Sequence, residues 1–528
     1  MHTLTLHGDG LTLGAAVRAV TGAGATIEIS DEARDRVVAS RAVIDRAVAD
    51  GRAVYGVTTG FGKLQNVAIA PDQRERLQRN LVVSHAAGVG PALPPHEART
   101  ILLLRIQSLI RGNSGVTPSL ADRLVRIFNS GLAPVVPEQG SVGASGDLAP
   151  LAHVAWLVLG EGECILPDGT RAGAADALRA AGIEPVYLLR EKEGLALLNG
   201  TQFMTALAAL ALVRADHLLR LADLACAASL DALQFSVRPF DPRVQAVRPH
   251  PGQAVTAANV RRLLEGSTIL ASHSGPHKVQ DAYCVRCAPQ VHGAARDALR
   301  HVRDVIEREM NSTTDNPLVF AEEGDVVSGG NFHGEPVALA CDYMTIALAE
   351  IGSISERRIE SLVNPDLSSG LPAFLARHPG VESGMMIGQV TAAALASEDK
   401  ALSHPASVDS IPTSANQEDH VSMGPIAVRK ARMVLRNVER ILGIEMIAAA
   451  EGLEHRRAGA GLPPGGAPTA PLCSGRGVEA AIARLRERVP PMACDRVLAN
   501  DFEAVDALVR DGSLVAAAEA AAGPLRGL

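Results

Sequence analysis

Residues 143–147 read Gly-Ala-Ser-Gly-Asp, and the middle three could make an electrophile from the chain itself. Ala144 is small and unhindered, Ser145 carries a hydroxyl that can be lost as water, and the Gly146 nitrogen is not crowded by a Cβ. In a tightly bent loop the Gly146 nitrogen can attack the Ala144 carbonyl. Loss of two waters, one of them the Ser145 hydroxyl, then leaves a five-membered ring with an exposed methylidene carbon. Taken alone, the same stretch is also a glycine-rich helix entry with Asp147 at the N-cap. It is not a nucleophile elbow, because Gly146 comes one place too early for G-x-S-x-G. Gly62-Lys63 fails as the end of a phosphate loop, since Val57 stands where the first glycine belongs and Leu64 replaces Ser/Thr. Cys284 and Cys287 form a lone C-x-x-C without the second pair a zinc site needs, and there is no H-E-x-x-H. No catalytic metal is expected.

The elements that must position these residues show in the apolar periodicity. Ser30 can cap a helix with Asp31 and Glu32 in its first turn, Val37, Ile44 and Val48 as its stripe, and Gly51 behind it. Residues 55–62, with Gly56, Gly60 and Gly62, must be a loop. A helix is expected over 94–111. Residues 129–147 are irregular, with Pro134, Pro137, Gly140, Gly143 and Gly146, and a helix follows from Leu148 to about Leu159, closed by Gly160. After Asn199-Gly200 the pattern changes to long helices over 201–234, 292–310, 335–361 and 426–451. Polar loops at 272–291, 312–334 and 403–425 join them, and such loops are where a site is built. The stretch 455–475 reads as an exposed Gly/Pro-rich loop. The expected fold is mainly α: a mixed N-terminal domain over 1–200, carrying the tripeptide and the Tyr55 loop, then a helical-bundle domain over 201–528.

Composition agrees with that class. Of 528 residues 47% are hydrophobic and only 3% aromatic, a bias that favours packed helices over sheets. A net charge of −8 argues against a nucleic-acid partner. The first ten residues lack a basic and an apolar region, so no signal peptide is expected. The most apolar stretch, 203–213, is too short to span a membrane. Seven cysteines are an odd number and read as free thiols in a reducing cytoplasm.

Residues 141–153, Ser-Val-Gly-Ala-Ser-Gly-Asp-Leu-Ala-Pro-Leu-Ala-His, resemble the signature of the aromatic amino acid ammonia-lyases, which build 4-methylidene-imidazole-5-one (MIO) from such a tripeptide. The resemblance extends in order through Tyr55-Gly-Val-Thr-Thr-Gly-Phe-Gly, Ser84-His-Ala-Ala-Gly, Leu198-Asn-Gly-Thr-Gln, His277-Lys-Val-Gln-Asp, Asn331-Phe-His-Gly and Ser414-Ala-Asn-Gln-Glu-Asp-His, over about residues 1–510. It implies MIO from Ala144, Ser145 and Gly146 with no external cofactor, Tyr55 as the base for the β-proton, and Tyr283 in support of the electrophile. It also implies that Arg286 holds the substrate carboxylate, a task suited to its planar fork. Asn199 and Gln280 would hydrogen-bond the ring and substrate, and Phe332 would line the pocket. A Tyr55 phenolate needs positive potential, which helix N-termini converging on the site could supply. A homotetramer with shared active sites is implied as well.

His85 and Glu418 are polar where phenylalanine enzymes of the family carry apolar or amide residues, and a ring nitrogen needs such a partner. The leading expectation is elimination of ammonia from L-histidine to trans-urocanate in histidine breakdown, with Glu418 in the catalytic set and His85 binding the substrate. The alternatives are a tyrosine or phenylalanine lyase or a 2,3-aminomutase on the same scaffold, and a catalytically silent helical scaffold. Four positions depart from the pattern of members acting on histidine: Thr58 stands where Asn is frequent, and Ala282, Cys284 and Ala288 replace a commoner Pro, Ser and Gln.

Overall fold

The computed structural model describes residues 3–22, 24–272, 279–461 and 472–528, so His277 and Lys278 of the expected motifs lie outside the described residues. Twenty α-helices account for most of the described chain. Two compact units divide it: Met1–Val213, Arg303–Asp342 and Pro405–Arg429 form the first, and Arg214–Val302, Tyr343–His404 and Lys430–Leu528 the second. Both are discontinuous in sequence, whereas the apolar pattern suggested one boundary at residue 200. Periodicity registers where helices begin but not which later loops rejoin an earlier unit.

The first unit is mixed. It holds every described strand, in four small sheets. Thr3–Leu6 runs parallel to Thr26–Ile29, Val89–Ala92 antiparallel to Pro137–Gln139, and Glu163–Ile165 lies between Ala133–Pro134 and Arg171–Gly173. Leu318–Phe320 and Asp325–Val327 make a hairpin inside the polar loop expected at 312–334. The second unit is helical throughout, with no strand among its described residues.

Local chemistry explains the elements around the site. Ser30 caps the Asp31–Ala49 helix, its side chain accepting the Ala33 N–H at 3.2 Å. That helix buries Val43, Ile44 and Ala47 against Val54, Val57 and Val319, so the loop carrying Tyr55 is fixed by valines on either side of it. Leu148–Leu159 is helical and ends at Gly160, whose φ of +80° a Cβ would oppose. The long helices are Gln202–Ala232, Ala288–Met310, Glu335–Val363 and Gly424–Arg457. The last runs into the stretch read as a loop from 455, of which 462–471 lies outside the described residues. Besides the apolar stretch at 203–213, Glu335–Val363 is long and apolar enough to cross a membrane by length and composition. However, 67% of its apolar window is buried in the protein, as in a core helix. Arg74–His85 was not expected, because three arginines and a glutamate hide its apolar stripe.

Beneath the Asn199-Gly200 turn lies a charged core. Arg105, fully buried, donates to the Asn199 carbonyl at 2.8 Å and to Gln202 Oε1 at 2.6 Å. Lys192 and Asp315, both without exposure, pair at 2.7 Å. Removing one partner of such a pair leaves a buried charge uncompensated. Lys192→Met is therefore expected to cost about 3–5 kcal/mol in denaturant unfolding, and Lys192→Met with Asp315→Leu to recover most of it. Equal stabilities for the single variant and the wild type would refute this account.

Candidate active site

The tripeptide is held from both sides. On one side Gly146 and Gly200 form a parallel bridge, the Asp147 N–H donates to the Gly200 carbonyl at 2.6 Å, and the Met204 N–H donates to Asp147 Oδ2 at 3.0 Å. On the other the Met423 N–H donates to the Val142 carbonyl at 2.9 Å. The ends of this bend require glycine. Gly143 and Gly146 have φ of +73° and +75°, and a Cβ would run into Ser422 Oγ at the first and the Gly200 carbonyl at the second. Asp147 occupies the N-cap position of Leu148–Leu159 but does not cap it with its side chain. It secures the start of Gln202–Ala232 instead.

Ser145 opens into a cavity of about 1180 Å³ that Tyr55, His85, Asn199, Phe332 and Glu418 also line. Six expected residues thus meet in the first unit. Glu418 Oε1 accepts from the Ser145 hydroxyl at 3.0 Å and Oε2 from the Thr413 hydroxyl at 2.8 Å. The loop before it is strained: Ser414, Ala415 and Asn416 have φ of 51°, 52° and 66°, a left-handed run that side chains disfavour and that clusters at functional sites. Asn199 donates from Nδ2 to the Asn316 carbonyl at 3.1 Å, and its buried Oδ1 has no partner among the described residues. That leaves an acceptor at the cavity wall. Thr58 closes the Tyr55 turn, donating to the Arg52 carbonyl and accepting the Val54 N–H.

Gln280, Tyr283 and Arg286 are not among the residues that line this cavity and belong to the second unit. There the Arg286 guanidinium donates to Gln280 Oε1 and stacks 4.5 Å from the Tyr283 ring centre. Tyr283 is 68% exposed. The Cys284 carbonyl accepts from the fully buried Arg358, and Cys284 Sγ contacts Ser361 Oγ, so the cysteine that replaces a commoner serine is a packing residue. All seven cysteines are free.

Electrostatics sets the protonation states. Burial pushes the Tyr55 phenol above its usual value, the Gly62 N–H donating to its oxygen pulls it back, and Glu418 raises it again. Among the described residues, the donor that lowers the Tyr55 pKa is the Gly62 N–H. Burial lowers the His85 pKa, against smaller raising effects of the Leu81 carbonyl and Glu418. Asp147 is driven up to about 8 by burial, despite the N–H groups of Met204 and Phe203.

A model of the aromatic amino acid lyase family matches residues 11–487. The chain belongs to that family. Membership makes it a carbon–nitrogen lyase of the MIO-dependent class. It is similar to the histidine ammonia-lyase of Anaeromyxobacter sp. (strain K), 54% identical over 97% of this chain and 100% of the relative. Among solved structures it resembles histidine ammonia-lyase from Trypanosoma cruzi (44% identity, TM-score 0.88, 98% of this chain and 95% of that one). It also resembles tyrosine aminomutase from Streptomyces globisporus (37% identity, TM-score 0.91, 99% and 100%). The residues present suit an MIO: a bend fixed at both ends and two glycines where a Cβ has no room.

Thr413 and Asn316 were not singled out in the sequence. Thr413 could have been, since it directly precedes the Ser414-Ala-Asn-Gln-Glu stretch; Asn316 carries no local signal.

The raised Asp147 pKa has a measurable consequence. A group that holds its proton more tightly when folded contributes stability that is complete below the unfolded pKa of about 4 and lost as pH rises through about 8. In Asp147→Asn that loss disappears. The thermal midpoint of the variant relative to wild type should therefore climb between pH 5 and 9. Parallel midpoint profiles would show that Asp147 does not titrate in this window.

Proposed function

We propose that this chain is a histidine ammonia-lyase, eliminating ammonia from L-histidine to give trans-urocanate. The observation that carries the reading is Glu418: a carboxylate beside Ser145, held by the Thr413 hydroxyl, in a cavity that His85 also lines. A phenyl ring makes no use of a carboxylate and adds the cost of desolvating it, whereas an imidazole N–H rewards it.

Ala144, Ser145 and Gly146 would form the MIO, which would supply an electrophile for the substrate amine and so make it a better leaving group. The remaining work falls to side chains. Tyr55 is the base for the β-proton; burial and Glu418 hold its phenol protonated, and the positive charge of the arriving substrate ammonium favours its ionisation. Asn199 offers its free Oδ1 to the N–H groups of the substrate ammonium. Glu418 and His85 read the imidazole, and Phe332 packs against the bound molecule.

The substrate carboxylate needs a cation, and Arg286 is suited to it by its fork and by a buried Nε without a partner among the described residues. Arg286, Gln280 and the exposed Tyr283 reach the cavity of a neighbouring subunit in this reading, within a cytoplasmic homotetramer with shared sites.

Two experiments test it. The intact mass of the purified protein is expected to fall short of its sequence by two waters, localised to residues 144–146, with the deficit absent in Ser145→Ala. An unmodified wild type refutes the electrophile. Glu418→Gln keeps shape and hydrogen-bonding capacity while deleting the charge. Turnover of L-histidine should drop on the order of 10²-fold or more, the range of acid–base catalysis, while that of L-phenylalanine holds or improves. Equal loss on both substrates, or none on L-histidine, favours a tyrosine or phenylalanine lyase or a 2,3-aminomutase.

A further inference from the structure

The hydrogen bonds around His85 decide which of its ring nitrogens can accept. Ser84 and His85 end the Arg74–His85 helix, and both line the cavity. The Ser84 hydroxyl donates to the Leu81 carbonyl at 3.2 Å, while its oxygen lies 3.0 Å from His85 Nδ1. A hydroxyl has a single proton, and a carbonyl can only accept. With that proton committed to Leu81, Ser84 Oγ meets Nδ1 through a lone pair, so Nδ1 carries the ring hydrogen. The Leu81 carbonyl raises the proton affinity of the His85 ring. Burial outweighs that effect and disfavours the doubly protonated ring. One proton remains, on Nδ1, and Nε2 is left bare.

We propose that Ser84 is a specificity-determining positioning residue: by holding His85 in the Nδ1–H form, it presents Nε2 as an acceptor for a ring N–H of the substrate. The proposal rests on the reading of the cavity as an L-histidine site. An imidazolium offers two ring N–H groups, one for this acceptor and one for Glu418; a phenyl ring offers none. Glu418, which keeps the Thr413 hydroxyl as a donor, is a second acceptor in the same cavity. The polar wall is thus built to receive donors. Ser84 is exposed and one residue from the helix end, so its side chain can be changed without emptying the core.

The test compares two acrylates that differ only in the ring, trans-urocanate and trans-cinnamate, as competitive inhibitors of L-histidine turnover. Ser84→Ala is expected to weaken urocanate by about three- to tenfold, the worth of one neutral hydrogen bond, and to leave cinnamate unchanged. Ser84→Thr, which retains the hydroxyl, should restore urocanate binding. An unchanged urocanate-to-cinnamate ratio in Ser84→Ala, or equal weakening of both, overturns the role of Ser84. A wild type that does not convert L-histidine instead overturns the functional reading beneath it.

Discussion

The bridge between Gly146 and Gly200 is the constraint on which the site depends. A buried backbone N–H and carbonyl must find partners, and here the Asp147 N–H and the Gly200 carbonyl satisfy one another across more than fifty residues of chain. That pairing sets the direction in which Ser145 leaves the backbone. It also brings Asn199, next to Gly200, to the same wall of the cavity. Arg105, donating to the Asn199 carbonyl from below, keeps the turn from relaxing. The reactive tripeptide is therefore shaped by an ionic core that never reaches the cavity surface, and a change at Arg105 or Lys192 acts on the chemistry through the backbone.

Two carboxylates near the tripeptide illustrate how environment divides labour between like groups. Asp147 is fully buried, receives only backbone N–H groups and holds its proton to about pH 8. Glu418 is half-buried and takes two hydroxyl donors at the cavity wall. The first is an anchor for a helix start, and the second is available to a ligand. Their positions in sequence say nothing of this difference; burial alone makes it.

Much of this was legible in the chain. Gly143 and Gly146 announced a bend because only glycine tolerates those angles, and Ser30, Gly160 and the long apolar periods marked their helices through caps and stripes. Tyr55, His85, Ser145, Asn199, Phe332 and Glu418 do meet in one cavity. What local pattern could not carry was topology. Two segments far along the chain, Arg303–Asp342 and Pro405–Arg429, belong to the unit that begins at Met1, and nothing in their composition says so. Nor could it reveal that, among the described residues, Tyr55 would see the Gly62 N–H and the Glu418 carboxylate, since potentials depend on three-dimensional neighbours. That Gln280, Tyr283 and Arg286 belong to a different unit from the other site residues was equally beyond the reach of spacing.

That topology also imposes an order in time. The bend at the tripeptide is closed on its near side by residue 200 but on its far side only by Met423, whose N–H takes the Val142 carbonyl. The valines flanking Tyr55 likewise wait for Val319. During synthesis from the N-terminus, a ribosome that has released the first 213 residues has delivered the reactive tripeptide and its base but neither of these partners. The reactive sequence is thus exposed early and disciplined late, and a chain that stalls or is clipped before residue 423 carries the right residues without the geometry that gives them meaning.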